Sequence, residues 1–89
     1  MTIRWTEAAA DSIERLHHYI ESQSNEDVAS EVVNALVRSV EMLAQHPQMG
    51  RCGFENGTRE LARPPYVIVY RIVEDVVNIL NVVHGAQRF

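Results

Sequence analysis

The sequence predicts an α+β fold in which a helical hairpin packs on a small, mainly antiparallel sheet, in the order β-α-α-β-β-β. Two early segments place apolar residues at helical spacing, and three later segments have the composition or alternation of strands. Glycine, proline and polar clusters separate these segments. Eighty-nine residues suffice for one domain and are too few for two, so residues 1–89 are expected to form a single domain with a thin core.

The first half of the chain predicts a short strand and two helices. Residues 2–5 are β-type, and Thr6 is placed to cap the helix that follows. Ser24 and Asp27 have the spacing of a capping box for the second helix. Pro47 ends that helix, because the residue before a proline avoids the α region. The predicted apolar face of the first helix contains Ala9, Ile13, Leu16 and Ile20.

The second half predicts a loop over residues 47–57 and then a β-meander. The strand signals lie at residues 58–62, 66–73 and 76–83. The last of these is apolar on both faces apart from Asn78 and Asn81, which is typical of a strand inside a sheet. We therefore expect the first strand to pair with the last. One face of the middle strand is predicted to carry Tyr66, Ile68, Tyr70 and Ile72.

Charge is distributed unevenly along the chain, which contains eight arginines and no lysine. Residues 1–50 hold three arginines and eight acids, whereas residues 51–89 hold five arginines and four acids. Arginine suits bidentate contact with carboxylate or phosphate, so the two halves are expected to face different partners. A solvated sheet face lined with arginines is the alternative explanation.

Several site classes are not expected. Gly50, Gly53 and Gly57 precede no helix, so they do not form a phosphate-binding loop. His17 and His18 point apart on a helix, and Cys52 has no histidine near it in the sequence, so no metal site, cofactor or nucleophile is predicted. No signal peptide or membrane span is evident, which predicts a cytoplasmic protein without membrane contact.

Candidate functional residues cluster in the predicted strands and the tail. Arg59, Arg71 and His84 would suit RNA cleavage if they converged on one sheet face, with Glu55 or Glu60 as base, His84 as acid and Arg59 on the phosphate. Cross-strand ion pairing is the alternative for Glu60, and a structural role is the alternative for His84. The candidate partner-binding residues are Arg59, Tyr70, Arg71, Arg88 and Phe89, although a strand tyrosine is more often part of the core.

An ordered set of motifs then identifies a resemblance. The set includes the Trp-Thr-Glu opening of the first helix, Pro47-Gln48-Met49-Gly50-Arg51, Thr58-Arg59-Glu60-Leu61, and Val83-His84-Gly85-Ala86-Gln87-Arg88. Together these resemble the RelE/ParE superfamily of toxins from type II toxin–antitoxin, or plasmid stabilisation, modules. The proline–glycine–arginine and Thr-Arg-Glu-Leu segments are most similar to the ParE branch.

The resemblance implies a bacterial toxin that a cognate, ParD-like antitoxin neutralises. For the ParE branch it implies non-enzymatic inhibition of DNA gyrase, and for the RelE branch it implies cleavage of mRNA in the ribosome. His84 matches a position at which some RelE-type nucleases carry a catalytic histidine. The acidic, lysine-free composition favours the ParE branch, because binding to ribosomal RNA requires a basic surface. An inactive relative that only partners an antitoxin is a third reading.

The arginine-rich second half also predicts how an antitoxin would bind. An acidic amphipathic segment is expected to lie across the sheet or the helical hairpin, with arginines at its rim. Charge reversal at Arg59 or Arg71 is then expected to weaken the complex.

Overall fold

The computed structural model describes residues 1–85, so the predicted contact residues Arg88 and Phe89 lie outside the described residues. Two helices and five strands follow one another in the order β1-α1-α2-β2-β3-β4-β5, which confirms the predicted fold class. The elements are β1 (Thr2–Trp5), α1 (Glu7–Gln23), α2 (Glu26–Met42), β2 (Arg51–Cys52), β3 (Arg59–Arg63), β4 (Tyr66–Val73) and β5 (Val76–His84).

Thr6 caps α1, as the sequence predicts. Its hydroxyl oxygen accepts a hydrogen bond from the Ala9 N–H at 3.2 Å. The same hydroxyl donates to the carbonyl of Ile79 in β5 at 2.7 Å. One side chain therefore stabilises the helix N-terminus and fixes that terminus to the sheet.

The predicted capping box of Ser24 and Asp27 is wrong. Asn25 is the N-cap of α2, and its side-chain oxygen accepts from the Val28 N–H at 3.0 Å. Ser24 instead terminates α1, since its backbone N–H bonds the Ile20 carbonyl at 2.8 Å. Only two residues separate the helices, so Ser24 serves the end of one and Asn25 the start of the other.

All five strands form one sheet in the order β1-β5-β4-β3-β2. β1 runs parallel to β5, and the other neighbours are antiparallel. The predictions that β5 lies inside the sheet and pairs with β1 are confirmed. The predicted loop at residues 47–57 needs a correction, because it contains the two-residue strand β2. Two residues are too few to show an alternation of apolar and polar positions.

A β-bulge explains why β5 is apolar on both faces. Val69 pairs with Asn81 and Tyr70 pairs with Ile79, so Leu80 has no partner in the register. Val77 and Ile79 are buried before the bulge, and Val82 is buried after it. The buried positions therefore change from odd to even numbers along one strand.

The core lies between the helices and one face of the sheet, and Tyr70 is its largest fully buried side chain. Its buried cluster consists of Ala9, Leu36, Val40, Leu43, Leu61, Ile68, Tyr70, Val77, Ile79 and Val82. No helix among residues 1–85 combines the length and the apolar character needed to cross a membrane. The opposite side of the sheet, which carries Val69, Arg71, Asn78 and Leu80, is here called the open face.

Candidate functional site

Tyr70 joins β4 to the segment that leaves α2. Its hydroxyl donates to the Pro47 carbonyl at 2.8 Å and accepts from the Gly50 N–H at 2.9 Å. A Cβ built on Gly50 would lie 2.6 Å from this hydroxyl oxygen, so the approach requires glycine. We call residues 47–51, together with the Tyr70 hydroxyl, the connector latch.

Tyr70, a predicted partner-binding residue, is fully buried in the core of this chain. Burial raises the pKa of its phenol from the ordinary 10.0, while the Gly50 N–H and the Arg59 charge act in the opposite direction. The side chain therefore stays neutral in the physiological range and satisfies two backbone groups of the latch. Its role is internal to the fold.

Arg59 also contacts the connector latch. One terminal nitrogen donates to the Gly50 carbonyl at 2.8 Å, and the same nitrogen lies 3.5 Å from the Gln48 carbonyl. Arg59 and Tyr70 are opposite each other on β3 and β4, so both reach the latch from the helix-covered face of the sheet. The charge of this arginine is used to bind backbone carbonyls inside the molecule.

Glu60 lies on the other face of β3 and is buried, with 5% of its surface exposed. Its carboxylate accepts from the Phe54 N–H at 3.0 Å and pairs with Arg51 at 3.4 Å. Arg51 and Glu60 are register partners on β2 and β3, which confirms cross-strand ion pairing. The backbone carbonyl of Glu55 accepts from the Thr58 hydroxyl at 2.6 Å and helps to fix the intervening loop.

His84 ends β5 on the helix-covered face, at the mouth of a cleft between α1 and the sheet. Its ring meets that of Tyr66 edge-on, with centroids 5.9 Å apart. The cleft has a volume of about 580 Å³, and no carboxylate appears among its described lining residues. Inside it, the Ser12 hydroxyl bonds the side-chain oxygen of Asn81. This end of the molecule offers imidazole, phenol and guanidinium groups.

The register does not bring Arg59, Glu60 and His84 together. Arg59 pairs with Tyr70 and His84 pairs with Tyr66, four residues farther along β4. At the usual strand dimensions their Cα atoms are roughly 16 Å apart. Glu60 points to the open face, opposite to the other two. The geometry that the hypothesis of RNA cleavage required is therefore absent among residues 1–85.

Arg71 is also separated from Arg59, because it lies on the open face of β4. It is half-buried, and a Cβ built on Gly57 would lie 3.7 Å from its Nε. Gly57 has a φ of +83°, a conformation that favours glycine. The loop backbone thus passes beside the Arg71 side chain.

Sequence reasoning missed the polar groups that complete these contacts. The sequence predicts only that Gly50 lies in a loop, whereas the close approach of the Tyr70 hydroxyl explains why this position is glycine. Asn81 was noted only as an interruption of an apolar strand, and that interruption was the available signal for its bond to Ser12. Within residues 1–85, no group of three or more His, Cys, Asp or Glu side chains is arranged to hold a metal ion.

Comparisons with known proteins agree with this fold. The family model described as "ParE toxin of type II toxin-antitoxin system, parDE" matches residues 3–89. A protein of Sinorhizobium fredii named "Putative toxin Y4kP" is 42% identical over 89 residues, which cover 98% of this chain and 91% of that protein.

Two solved structures are similar in fold. The chromosomal ParDE system of P. aeruginosa superposes with a TM-score of 0.85 at 23% identity, covering 94% of this chain and 95% of that chain. The RelBE2 toxin–antitoxin complex of Mycobacterium tuberculosis superposes with a TM-score of 0.72 at 25% identity, covering 93% and 95%. Since the family model spans nearly the whole chain and a relative exceeds 40% identity, this chain belongs to the ParE toxin family of type II toxin–antitoxin systems.

Proposed function

We propose that this protein is a cytoplasmic toxin that inhibits DNA gyrase without catalysing a reaction and that a cognate antitoxin neutralises it. The separation of Arg59, Glu60 and His84 is the observation that favours gyrase inhibition over RNA cleavage. Arg59 is occupied with the connector latch, and Glu60 with Arg51 and the Phe54 N–H. A nuclease needs a base, an acid and a cation around one phosphate.

An antitoxin partner is supported by the family and by the two similar structures, one from a toxin–antitoxin system and one a toxin–antitoxin complex. A domain of this size buries a limited fraction of its surface, so an additional covering chain would stabilise it further. The acidic antitoxin segment expected from the arginine distribution is compatible with this proposal.

The alternative is a ribosome-dependent mRNA endonuclease of RelE type, and one observation favours it. His84 lies at the mouth of the cleft between α1 and the sheet, whose lining also contains Arg15, Tyr19 and Tyr66. An imidazole and a guanidinium at one cleft could act on a phosphodiester. The lining lacks a carboxylate base among residues 1–85, which weakens this alternative.

A parallel assay separates the two activities. The purified protein is added to a gyrase supercoiling reaction and, in parallel, to a translating ribosome extract with labelled mRNA. Loss of supercoiling or trapped DNA cleavage, with intact mRNA, is the expected result. His84→Ala is expected to behave like the wild-type protein, with Arg38→Ala on the exposed side of α2 as the matched control. Cut mRNA that depends on His84, or gyrase that is unaffected at large molar excess, would refute the proposal.

A further inference from the structure

The open face carries a row of polar side chains that the sequence does not place together. Arg4 pairs with Asn78 in the parallel register of β1 and β5, and Asn78 pairs with Arg71 in the antiparallel register of β5 and β4. The neighbours of Arg4 and Asn78 along their strands pack toward the core, so both side chains point to the open face. Three strands thus present one arginine–asparagine–arginine row.

The two arginines of this row lack an acidic partner within the described part of the chain. The ion pairs found among residues 1–85 are His17–Glu26 and Arg51–Glu60. Arg4 donates to the side-chain oxygen of Asn78 at 3.2 Å, whereas Arg71 makes no hydrogen bond to any described residue. The nearest carboxylates along the chain, Glu74 and Asp75, lie in the turn beyond the next row and stay more than 4 Å from both guanidinium groups.

The row has a defined shape. Two strand spacings separate the Cα atoms of Arg4 and Arg71 by roughly 10 Å. The Gly57 backbone passes beside Arg71, and Arg4 donates to Asn78, so both guanidinium groups have a contact within the open face. Farther along the same face, the partly exposed apolar side chains Val69 and Leu80 line a depression together with Glu55 and Glu60, and Glu60 is paired with Arg51. A row of arginines beside apolar side chains suits an amphipathic ligand.

The overall charge distribution indicates the sign of that ligand. The two helices carry eight carboxylates and two arginines, whereas the open face presents this row together with the Glu60 carboxylate, which is already paired with Arg51. An anionic partner would be repelled by the helical side and directed to the open face. Nucleic acid is the less suitable anion, because tracking a phosphate backbone takes several cations, whereas the row holds two arginines and the chain has no lysine.

We propose that the row of Arg4, Asn78 and Arg71 binds carboxylate side chains of an acidic amphipathic segment that lies across the open face. Each guanidinium would donate to a carboxylate, Asn78 would position Arg4, and Val69 and Leu80 would contact the apolar side of the segment. The inference rests on the proposed function only in naming the source of that segment, the antitoxin. In this proposal Arg4 takes the place of Arg59 as a partner-binding arginine, because Arg59 donates to the Gly50 carbonyl inside the fold.

A defined probe tests the row without gyrase or ribosomes. A fluorescent peptide of alternating glutamate and leucine is titrated with the protein by anisotropy, beside a glutamine-for-glutamate peptide and a single-stranded DNA oligonucleotide of equal charge. Arg4→Gln and Arg71→Gln are each expected to weaken binding of the glutamate peptide about tenfold, the equivalent of one charge-assisted hydrogen bond. The glutamine peptide is expected to bind less tightly than the glutamate peptide.

Arg38→Gln, which neutralises an exposed arginine on α2, is the matched control and is expected to change affinity less than about twofold. Amide chemical shifts on adding the peptide should move at Arg4 and Asn78 and stay constant along α2. Equal losses in the Arg38 variant, no binding of the glutamate peptide, or tighter binding of the oligonucleotide through the same arginines would each overturn the proposal. Because the assay contains no toxin target, a negative gyrase result leaves its outcome unaffected.

Discussion

Replacing Tyr70 by phenylalanine tests whether the connector latch stabilises the domain. The change removes one hydroxyl, which donates to the Pro47 carbonyl and accepts from the Gly50 N–H. Gly50 is buried, so its N–H loses its partner without gaining water, and such an unpaired group costs about 1–3 kcal/mol. The Pro47 carbonyl is only half-buried and can be hydrated. We expect Tyr70→Phe to lower the free energy of unfolding by about 2–3 kcal/mol.

The assay is urea denaturation, with a thermal melt as a second measurement. The expected loss corresponds to a decrease in Tm of roughly 10–20 °C for a domain of this size. Tyr66→Phe is the matched control, because Tyr66 lies on the same strand and face and its hydroxyl makes no hydrogen bond to the described residues. That variant should stay within about 0.5 kcal/mol of the wild-type protein. If the two variants differ by less than this amount, the reasoning about the latch is refuted.

The same pair of proteins has a predictable pH dependence. The pKa of Tyr70 is raised above 10.0 in the folded state, chiefly by burial. The unfolded chain therefore releases this proton first as the pH rises, and the wild-type protein loses stability above about pH 10. Tyr70→Phe lacks this contribution, so the difference in stability between wild-type and variant should narrow above that pH. A difference that stays constant or widens on alkaline titration contradicts the assigned direction.

Three further predictions concern other contacts. Asn25→Ala removes the N-cap of α2 and should lower the free energy of unfolding by about 1 kcal/mol in urea denaturation, whereas Ser24→Ala should have little effect. A larger loss of stability for Ser24→Ala than for Asn25→Ala would instead support the capping box. Gly50→Ala places a Cβ 2.6 Å from the Tyr70 hydroxyl and should destabilise the domain more than Gly85→Ala, whose nearest contact is at 3.4 Å; thermal melts give the ranking, and the reverse order would contradict it. Arg59→Gln should lower stability by about 1–2 kcal/mol because the Gly50 carbonyl loses its charged donor, while Arg71→Gln should leave stability nearly unchanged; equal effects would show that the two arginines share one role.

Local patterns in the sequence were sufficient to predict most of the secondary structure. Alternation fixed the bounds of β4, because that strand has one face against the core. Thr6 was identifiable as a cap because it is a hydroxyl residue directly before a helical pattern. The same reasoning failed at residues 24–25, where two polar residues compete and the geometry of a two-residue connection selects Asn25. It also missed β2, which is too short to show a period.

The candidate site could be predicted only as a set of residue types. The sequence singled out Arg59, Glu60, Arg71 and His84, but strand register decides which of them share a face and which are close together. The bulge at Leu80 changes that register in a way that no alternation pattern reveals.

The sequence by itself determined the order of the helices and of every strand except β2, the interior position of the last strand and the family, because these depend on local periodicity and on motifs along the chain. Only the tertiary structure decided the role of each arginine. Arg59 faces the connector latch, and strand register places Arg71 in one row with Arg4, which lies 67 positions away in the sequence. The physical reason is that strand pairing joins residues distant in the chain, and side chains alternate between two faces that no composition distinguishes.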